Sequence, residues 1–560
     1  MIGTILTPSA LWKNFTIGEV SVANLKQTKN GDCITTQLNI EGRKVKDEIV
    51  NIYAELNRKD KAQFYPAILL VKDFSITQDT SLIKELVSLG YAVMRVDLAG
   101  AREGAENFTV YPDSVSYANF ENAKELLYTV EKDAQKTCWY EWTAVIRYAL
   151  KYLKSLPFIT KVGGIGVGSV ATALWQAAGT DENLDCAVFA LNSGWLGYRG
   201  VNKFSGVAEP QFSEDMFKFI AGVDCQSYAM HVHCPTLMLS ATNSSEFDLD
   251  RAYDTLTKIP LSTFSAIHYS VGSIDRLSHQ AYDNTLIFLK KFLFDQDEEL
   301  LQEVEIKLDV QEKELIIEAS VGEDKSKTIS SVQVYVAEEK VNPALRTWVK
   351  IDAKKFKDGV YVAKYVPYYN SGVLTAFVTA TDNNGFAISS NVLARRFSEG
   401  ELGKIYKNTL LYSSRIPNAQ SIFTPAITKQ NDGMIFEKTG VFVKKGPMGI
   451  FGVGCNKGLL TFALSSQKYM PNNSAILMLD VYAKQQAVLE VKLIADYFSA
   501  KTEYVAKVNL VGGDFWSNVQ IEMKRFKTAE GIVLKDYSKI SALEINVDGV
   551  DYLINNALWI

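Results

Sequence analysis

The chain has 560 residues, 47% of them apolar and 22% charged, a balance that excludes a disordered or collagen-like protein and is too long for one hydrophobic core. Its 59 basic and 64 acidic side chains leave a formal charge of -5 with no long block of one sign, so nucleic-acid and membrane-surface partners lack electrostatic support. Six cysteines (Cys33, Cys138, Cys186, Cys225, Cys234 and Cys455) without CxxC spacing read as reduced core thiols of a cytoplasmic protein rather than as a disulfide framework.

The opening MIGTILTPSALWKNF has neither the basic stretch nor the apolar run of a secretory signal. No apolar run approaches the roughly 18–20 residues of a membrane helix. Residues 67–71 (AILLV) form a continuous apolar run, as in a strand buried on both faces. Leu82, Ile83, Leu86 and Val87 then recur at helical spacing, with Asp79 or Thr80 as N-cap and Gly90 as stop. The strand 91–96 follows. The long connection 98–137 predicts a functional segment or an ordered cap. A helix with Trp142, Val145, Ile146, Ala149 and Leu153 on one face ends before Pro157. Strand 162–166, helix 170–179, strand 186–191, an insertion at 194–230, strand 235–240, helix 249–258, strand 263–270 and helix 280–296 complete the series. This alternation predicts an α/β domain over 1–298 with a mostly parallel sheet and N-terminal strands.

After the charged junction near 299 the period changes to two. Val332, Val334 and Val336 share one face and Gln333 and Tyr335 the other, and the turn Asp382-Asn383-Asn384-Gly385 separates strands 373–380 and 386–393. Seven short strands over 302–397 predict an immunoglobulin-like sandwich. The remainder, 398–560, has strand-like segments at 475–481, 487–493, 503–510, 520–523 and 542–547, which predicts a jelly-roll or galactose-binding-like sandwich.

A strand, a glycine-rich turn and a helix of small residues at 162–179 (VGGIGVGSVATALWQAAG) form the setting of a hydrolase nucleophile elbow. Aligning G-x-nucleophile-x-G on Gly166 puts Gly168 in the nucleophile slot, with Ser169 one position late. One helical residue turns a side chain by about 100°, and Ser169 also suits a helix N-cap. The acid slot, after strand 235–240, falls on Ser244, with Glu246, Asp248 and Asp250 nearby as displaced acids. Asp248 and Asp250 also suit the start of the next helix. His279 lies between the last strand and the final helix, where a general base is presented. The oxyanion loop after 67–71 reads Lys72-Asp73-Phe74-Ser75-Ile76, without glycine. His231-Val232-His233-Cys234 lacks a third metal ligand and reads as a strand lead-in. The run 163–168 lacks the Lys-Ser/Thr of a phosphate loop, so no metal and no cofactor is expected. Trp139, Tyr140, Trp142 and Trp195 are weighed as a sugar-binding cleft against an ordinary core.

The order of these motifs resembles the acetyl xylan esterase and dienelactone hydrolase group of α/β-hydrolases. It runs from Leu11-Trp12-Lys13 and 67–71 through the D-x-x-G-x-x-E-G turn (Asp97, Gly100, Glu103, Gly104) and the loop Thr109-Val110-Tyr111-Pro112 to the tryptophan-led helix and the elbow. The resemblance implies an ester substrate such as an acetylated sugar, with the nucleophile slot on Gly168, the acid slot on Ser244 and the histidine on His279. Three readings stay open. The chain is a hydrolase-fold relative without ordinary serine-hydrolase activity, or an ester hydrolase using Ser169, His279 and Glu246, Asp248 or Asp250. Alternatively it binds glycan through aromatics of 398–560 such as Trp516, Tyr537 or Trp559. Oligomeric state is left open.

Overall fold

The computed structural model describes residues 4–61, 63–77, 80–208, 210–322, 328–367, 373–398, 400–402, 409–426, 435–437 and 440–560. Nine strands build the first sheet: β1 (Val22–Asn30), β2 (Cys33–Val45), β3 (Glu48–Lys59), β4 (Tyr65–Val71), β5 (Ala92–Val96), β6 (Ile159–Val167), β7 (Cys186–Ala190), β8 (Thr236–Ala241) and β9 (Ser265–Ser270). Their order is β1-β2-β3-β5-β4-β6-β7-β8-β9. The first three strands and β5 pair antiparallel, and from β5 through β9 every pairing is parallel. This is the α/β-hydrolase arrangement, with an extra hairpin strand at its N-terminal edge. Every residue of β4 is buried, because helices cover both faces of a parallel sheet.

Five helices flank the sheet: α1 (Ser81–Ser88), α2 (Cys138–Ser155), α3 (Ala171–Ala178), α4 (Leu249–Leu256) and α5 (His279–Leu293). Thr80 stands at the α1 N-cap without a side-chain cap bond; Asp79, the other expected cap, lies outside the described residues. Thr137 caps α2 by accepting from the Tyr140 N–H. The apolar face of α2 from Trp142 to Leu153 is buried, and the chain turns extended at Leu156, ahead of Pro157. The connection 98–137 is an ordered cap. It places Val115, Ala118, Ala123, Leu127 and Val130 in the core, and its carbonyls at Ala118 and Leu127 accept the indole N–H groups of Trp142 and Trp139. Asp97 anchors this cap, accepting from the backbone N–H groups of Gly100 and Thr109 and from Arg102.

Two β-sandwiches follow. The first has a four-stranded sheet, β10 (Val304–Gln311), β11 (Glu314–Val321), β15 (Val360–Tyr365) and β14 (Lys354–Lys357). Its facing sheet is formed by β13 (Val349–Asp352), β12 (Ile329–Glu338), β16 (Val373–Asp382) and β17 (Ala387–Ser389), with β18 (Leu393–Arg396) also on β16. These are nine strands where seven were expected. The additional pieces include β13 and β14, four-residue edge strands, of which β14 (KKFK) is wholly exposed and shows no alternation. Val332, Val334 and Val336 are buried on one face, as their spacing predicts. The last sandwich pairs a six-stranded sheet with a five-stranded one, both antiparallel and all within 410–559.

The first sandwich shares one continuous hydrophobic core with the α/β region. Its docking contacts are also polar. Asn284 on α5 exchanges two hydrogen bonds with the Ala387 backbone, and the Tyr269 N–H donates to Ser389. The junction thus covers β9, the sheet's open edge, where unpaired backbone would otherwise face solvent. All six cysteines are free thiols; five are buried and Cys33 is half-buried.

Candidate functional site

A cavity of 410 Å³ opens at the C-terminal ends of the parallel strands, the position at which α/β sheets bind ligands. Five connections of the α/β region line it: Lys72 to Phe74 after β4, Val167 to Val170 at the end of β6, Leu191 after β7, Ser244 to Phe247 after β8, and Ile274 to Arg276 after β9. Ile435, from the C-terminal part of the chain, completes the wall.

The turn after β6 has the tight backbone expected of an elbow. A Cβ on Gly166 would stand 2.9 Å from Ala171 Cβ, so only glycine lets β6 approach α3 this closely. Gly168 has φ +64, and a Cβ built on it meets nothing within 4 Å. A side chain there would therefore point into open space in the left-handed conformation that a nucleophile elbow requires. Ser169, the next residue, begins the turn into α3. Its hydroxyl lies 3.5 Å from Tyr128 Oη, and the Tyr128 ring carries the Arg199 guanidinium 3.9 Å from its centre. Beneath the turn Asn192 donates to the Gly168 carbonyl at 3.0 Å and to Thr172 Oγ1 at 3.0 Å. Asn192 was not foreseen, since nothing in its local sequence marks it.

The acid loop does structural work. Ser244 Oγ accepts from the backbone N–H groups of Glu246 and Phe247, each at 3.2 Å. Glu246 is exposed at the cavity rim. Asp248 caps α4, accepting from the Asp250 N–H at 2.9 Å, and pairs with Arg251 at 3.1 Å. Burial and the neighbouring Asp250 carboxylate push its carboxyl up to about 6. Asp250 is committed elsewhere. It forms a two-pronged ion pair with Arg346 of the first sandwich, both side chains fully buried. Asn243 holds the same segment, donating to the carbonyls of Ala344 and Arg346 at 3.0 and 2.7 Å. The expectation that Asp250 orients a histidine is thus corrected, because a carboxylate locked against a guanidinium has no free oxygen to turn toward the cavity.

The histidine loop differs as well. The described lining of the cavity contains no histidine. His279 is the first residue of α5, behind Ser278, whose hydroxyl caps the helix through the Ala281 N–H at 3.3 Å. Its side chain is 68% exposed, lies 3.7 Å from Asp283 and stacks on Tyr282. The structure therefore brings Ser169, Gly168, Ser244 and Glu246 to one cavity and leaves His279 and Asp248 off its lining. His268, within β9, is buried, and burial pushes its imidazole down to about 4, so it stays neutral. The first loop places Phe74 where an oxyanion glycine was sought. Its carbonyl accepts from the Leu98 and Ala99 N–H groups, and its ring packs on Phe120 and Trp142.

Of the two readings of the aromatics, the ordinary core is the one that fits Trp139, Tyr140 and Trp142. Trp139, Tyr140 and Trp142 are buried in the core, and Trp195 donates to Thr255 beside Arg251 and Lys258. In the last sandwich Tyr537 and Trp559 are buried, which removes them as a sugar platform. Trp516 is half-buried, its indole N–H donating to the Pro447 carbonyl. The glycines at 163, 164 and 166 lie inside β6 and serve packing, not a phosphate loop. Among the described residues no group of three or more His, Cys, Asp or Glu side chains converges as a metal site, and no helix is long and apolar enough to cross a membrane.

No protein-family profile matches the sequence, and no curated protein matches it. Among solved structures the chain is similar to acetyl xylan esterase 1 from a Thermoanaerobacterium species, at 12% identity over 52% of this chain and 96% of that one, with a TM-score of 0.39. It is similar to an acetyl xylan esterase from a Paenibacillus species at 12% identity, 51% and 92% coverage and a TM-score of 0.38. A glucuronoyl esterase from Solibacter usitatus follows at 12% identity, 50% and 90% coverage and a TM-score of 0.34.

Proposed function

We propose that this is a hydrolase-fold protein of acetyl xylan esterase-like ancestry that has lost ordinary serine-hydrolase chemistry and holds a small carbohydrate-derived ligand in its cavity. The observation that carries the reading is Gly168, an elbow residue with positive φ and empty space where a nucleophile side chain would project. A serine nucleophile needs a base within about 3 Å. Here Ser169 lies near a tyrosine hydroxyl, and His279 is paired with Asp283 on the exposed side of α5. The lining offers both cations (Lys72, Arg276) and carboxylates (Asp73, Glu246, Asp275) beside serine hydroxyls and apolar walls, a mixture suited to vicinal hydroxyls and C–H faces. The division into 1–298, an immunoglobulin-like 302–397 and a jelly-roll-like 398–560, and a cytoplasmic location, belong to the same reading.

The test is acetate release from acetylated xylo-oligosaccharides and from an aryl acetate, with Ser169→Ala alongside. The expected outcome is no turnover above buffer from folded protein in either. Turnover that disappears in Ser169→Ala would refute the proposal and establish the second reading, an esterase with a shifted nucleophile, which the placement of Ser169 and Glu246 on one cavity favours. A glycan role for 398–560 now rests on Trp516, and loss of oligosaccharide binding in full-length Trp516→Ala would support it.

A further inference from the structure

We infer that residues 435–437, from the C-terminal part of the chain, supply a working wall of the cavity, with Ile435 setting its width beside the 271–278 loop and Glu437 holding that wall in place. The inference rests on the cavity being the ligand site. Ile435 is buried, lines the cavity, and belongs to the hydrophobic core of the α/β region rather than to that of the last sandwich. Two backbone bonds fasten it there. The Leu277 N–H donates to the Ile435 carbonyl at 2.9 Å, and the Glu437 N–H donates to the Leu277 carbonyl at 2.7 Å. Between them Phe436 packs edge-on against Tyr282 of α5, with ring centres 5.3 Å apart.

Glu437 closes the arrangement with charge. One carboxylate oxygen meets Arg276 Nη1 at 3.3 Å and Lys457 Nζ at 2.9 Å. Arg276 lines the cavity and Lys457 lies between the strands Phe451–Gly454 and Leu459–Thr461 of the last sandwich. All three side chains are largely shielded from solvent, so salt screens the clamp only weakly. The wall therefore presents an apolar surface, Ile435 with Ile274, backed by a guanidinium shared between clamp and cavity. The ligand class that fits carries an apolar substituent on this side and hydroxyl or anionic groups toward Arg276.

The test places a reporter thiol at the elbow with Gly168→Cys, where a Cβ meets nothing within 4 Å. Labelling is followed with a small reagent, iodoacetamide, and a bulky one, fluorescein maleimide, in the full chain. The same chain without the new thiol gives the background from Cys33 and the five buried cysteines. Adding Ile435→Ala or Glu437→Gln should raise the bulky reagent's rate on the order of tenfold, Ile435→Trp should lower it, and iodoacetamide should change less than about twofold. Unchanged bulky-reagent rates in all three, or a Gly168→Cys thiol that iodoacetamide cannot reach, would overturn the inference. Should Ile435→Ala fail to fold, Glu437→Gln, which keeps the side chain's shape, carries the test. The readout is steric and independent of turnover, so ester hydrolysis would refute the proposed function without touching this wall.

Discussion

Replacing Asp250 with alanine tests whether this carboxylate belongs to the fold or to a catalytic site. Asp250 and Arg346 are both 0% exposed. Beyond Asp250, the guanidinium donates to the Lys340 and Val341 carbonyls, at 3.0 and 2.9 Å, and interacts electrostatically with the Asp248 carboxylate. Asp250→Ala therefore leaves a buried cation with two neutral acceptors and an empty carboxylate site, a loss of about 3–5 kcal/mol. The pair is costly to break yet not costly to replace. Asp250→Leu with Arg346→Met removes both charges; measured against the single variants Asp250→Leu and Arg346→Met, the double should recover most of the loss, a coupling of about 2 kcal/mol or more. Urea unfolding followed by the fluorescence of the chain's eight tryptophans, Trp348 beside Arg346 among them, reads this. An Asp250→Ala variant within about 1 kcal/mol of the parent, or a double variant no better than the single, would refute the reasoning.

Two further outcomes follow from the same geometry. Gly168→Ser should fold with a loss of about 1–2 kcal/mol for a Cβ in the left-handed region, because the space around it is open. It should not hydrolyse an aryl acetate, since the cavity lining offers no imidazole; turnover in this variant would show that a base has been overlooked. Burial holds His268 at about 4 against an ordinary value of 6.5. The neutral ring's contribution to stability is complete above pH 6.5 and is lost as the pH falls through about 4. The parent should therefore lose about 3 kcal/mol over that window and His268→Gln clearly less; equal acid sensitivity of the two in urea titrations would contradict it.

The central elements were legible because burial writes them plainly. AILLV is a strand buried on both faces, and Trp142 to Leu153 repeats at helical spacing against the sheet. Edge strands such as Lys354–Lys357 escaped, since all four side chains face solvent and carry no alternation. The tryptophans of α2 were ambiguous because their cover, the 98–137 cap, has no period of its own. At the site, the slot on Gly168 could be counted from the glycine spacing, but its φ and its empty surroundings could not. Asp250 looked like a helix-start carboxylate; its partner Arg346 lies 96 positions away. Chain order located the loop that carries His279. Which face of that loop meets the cavity depends on Glu437, 161 positions from Arg276, and no local pattern encodes that pairing.

These distant pairings explain why the departures at the site belong together. The loop after β8 and the first turn of α4 spend Asn243 and Asp250 on the 344–346 segment. The loop after β9 spends Leu277 and Arg276 on residues 435–437. The loop after β4 packs Phe74 against Phe120 and Trp142. In a working serine hydrolase these three loops must stay free to present an acid, a base and an oxyanion hole. On the proposed reading, docking two sandwiches and keeping a triad compete for the same backbone, so a serine at 168 alone cannot restore catalysis. On that reading the absent triad and the composite cavity are two consequences of one arrangement of the loops above the sheet.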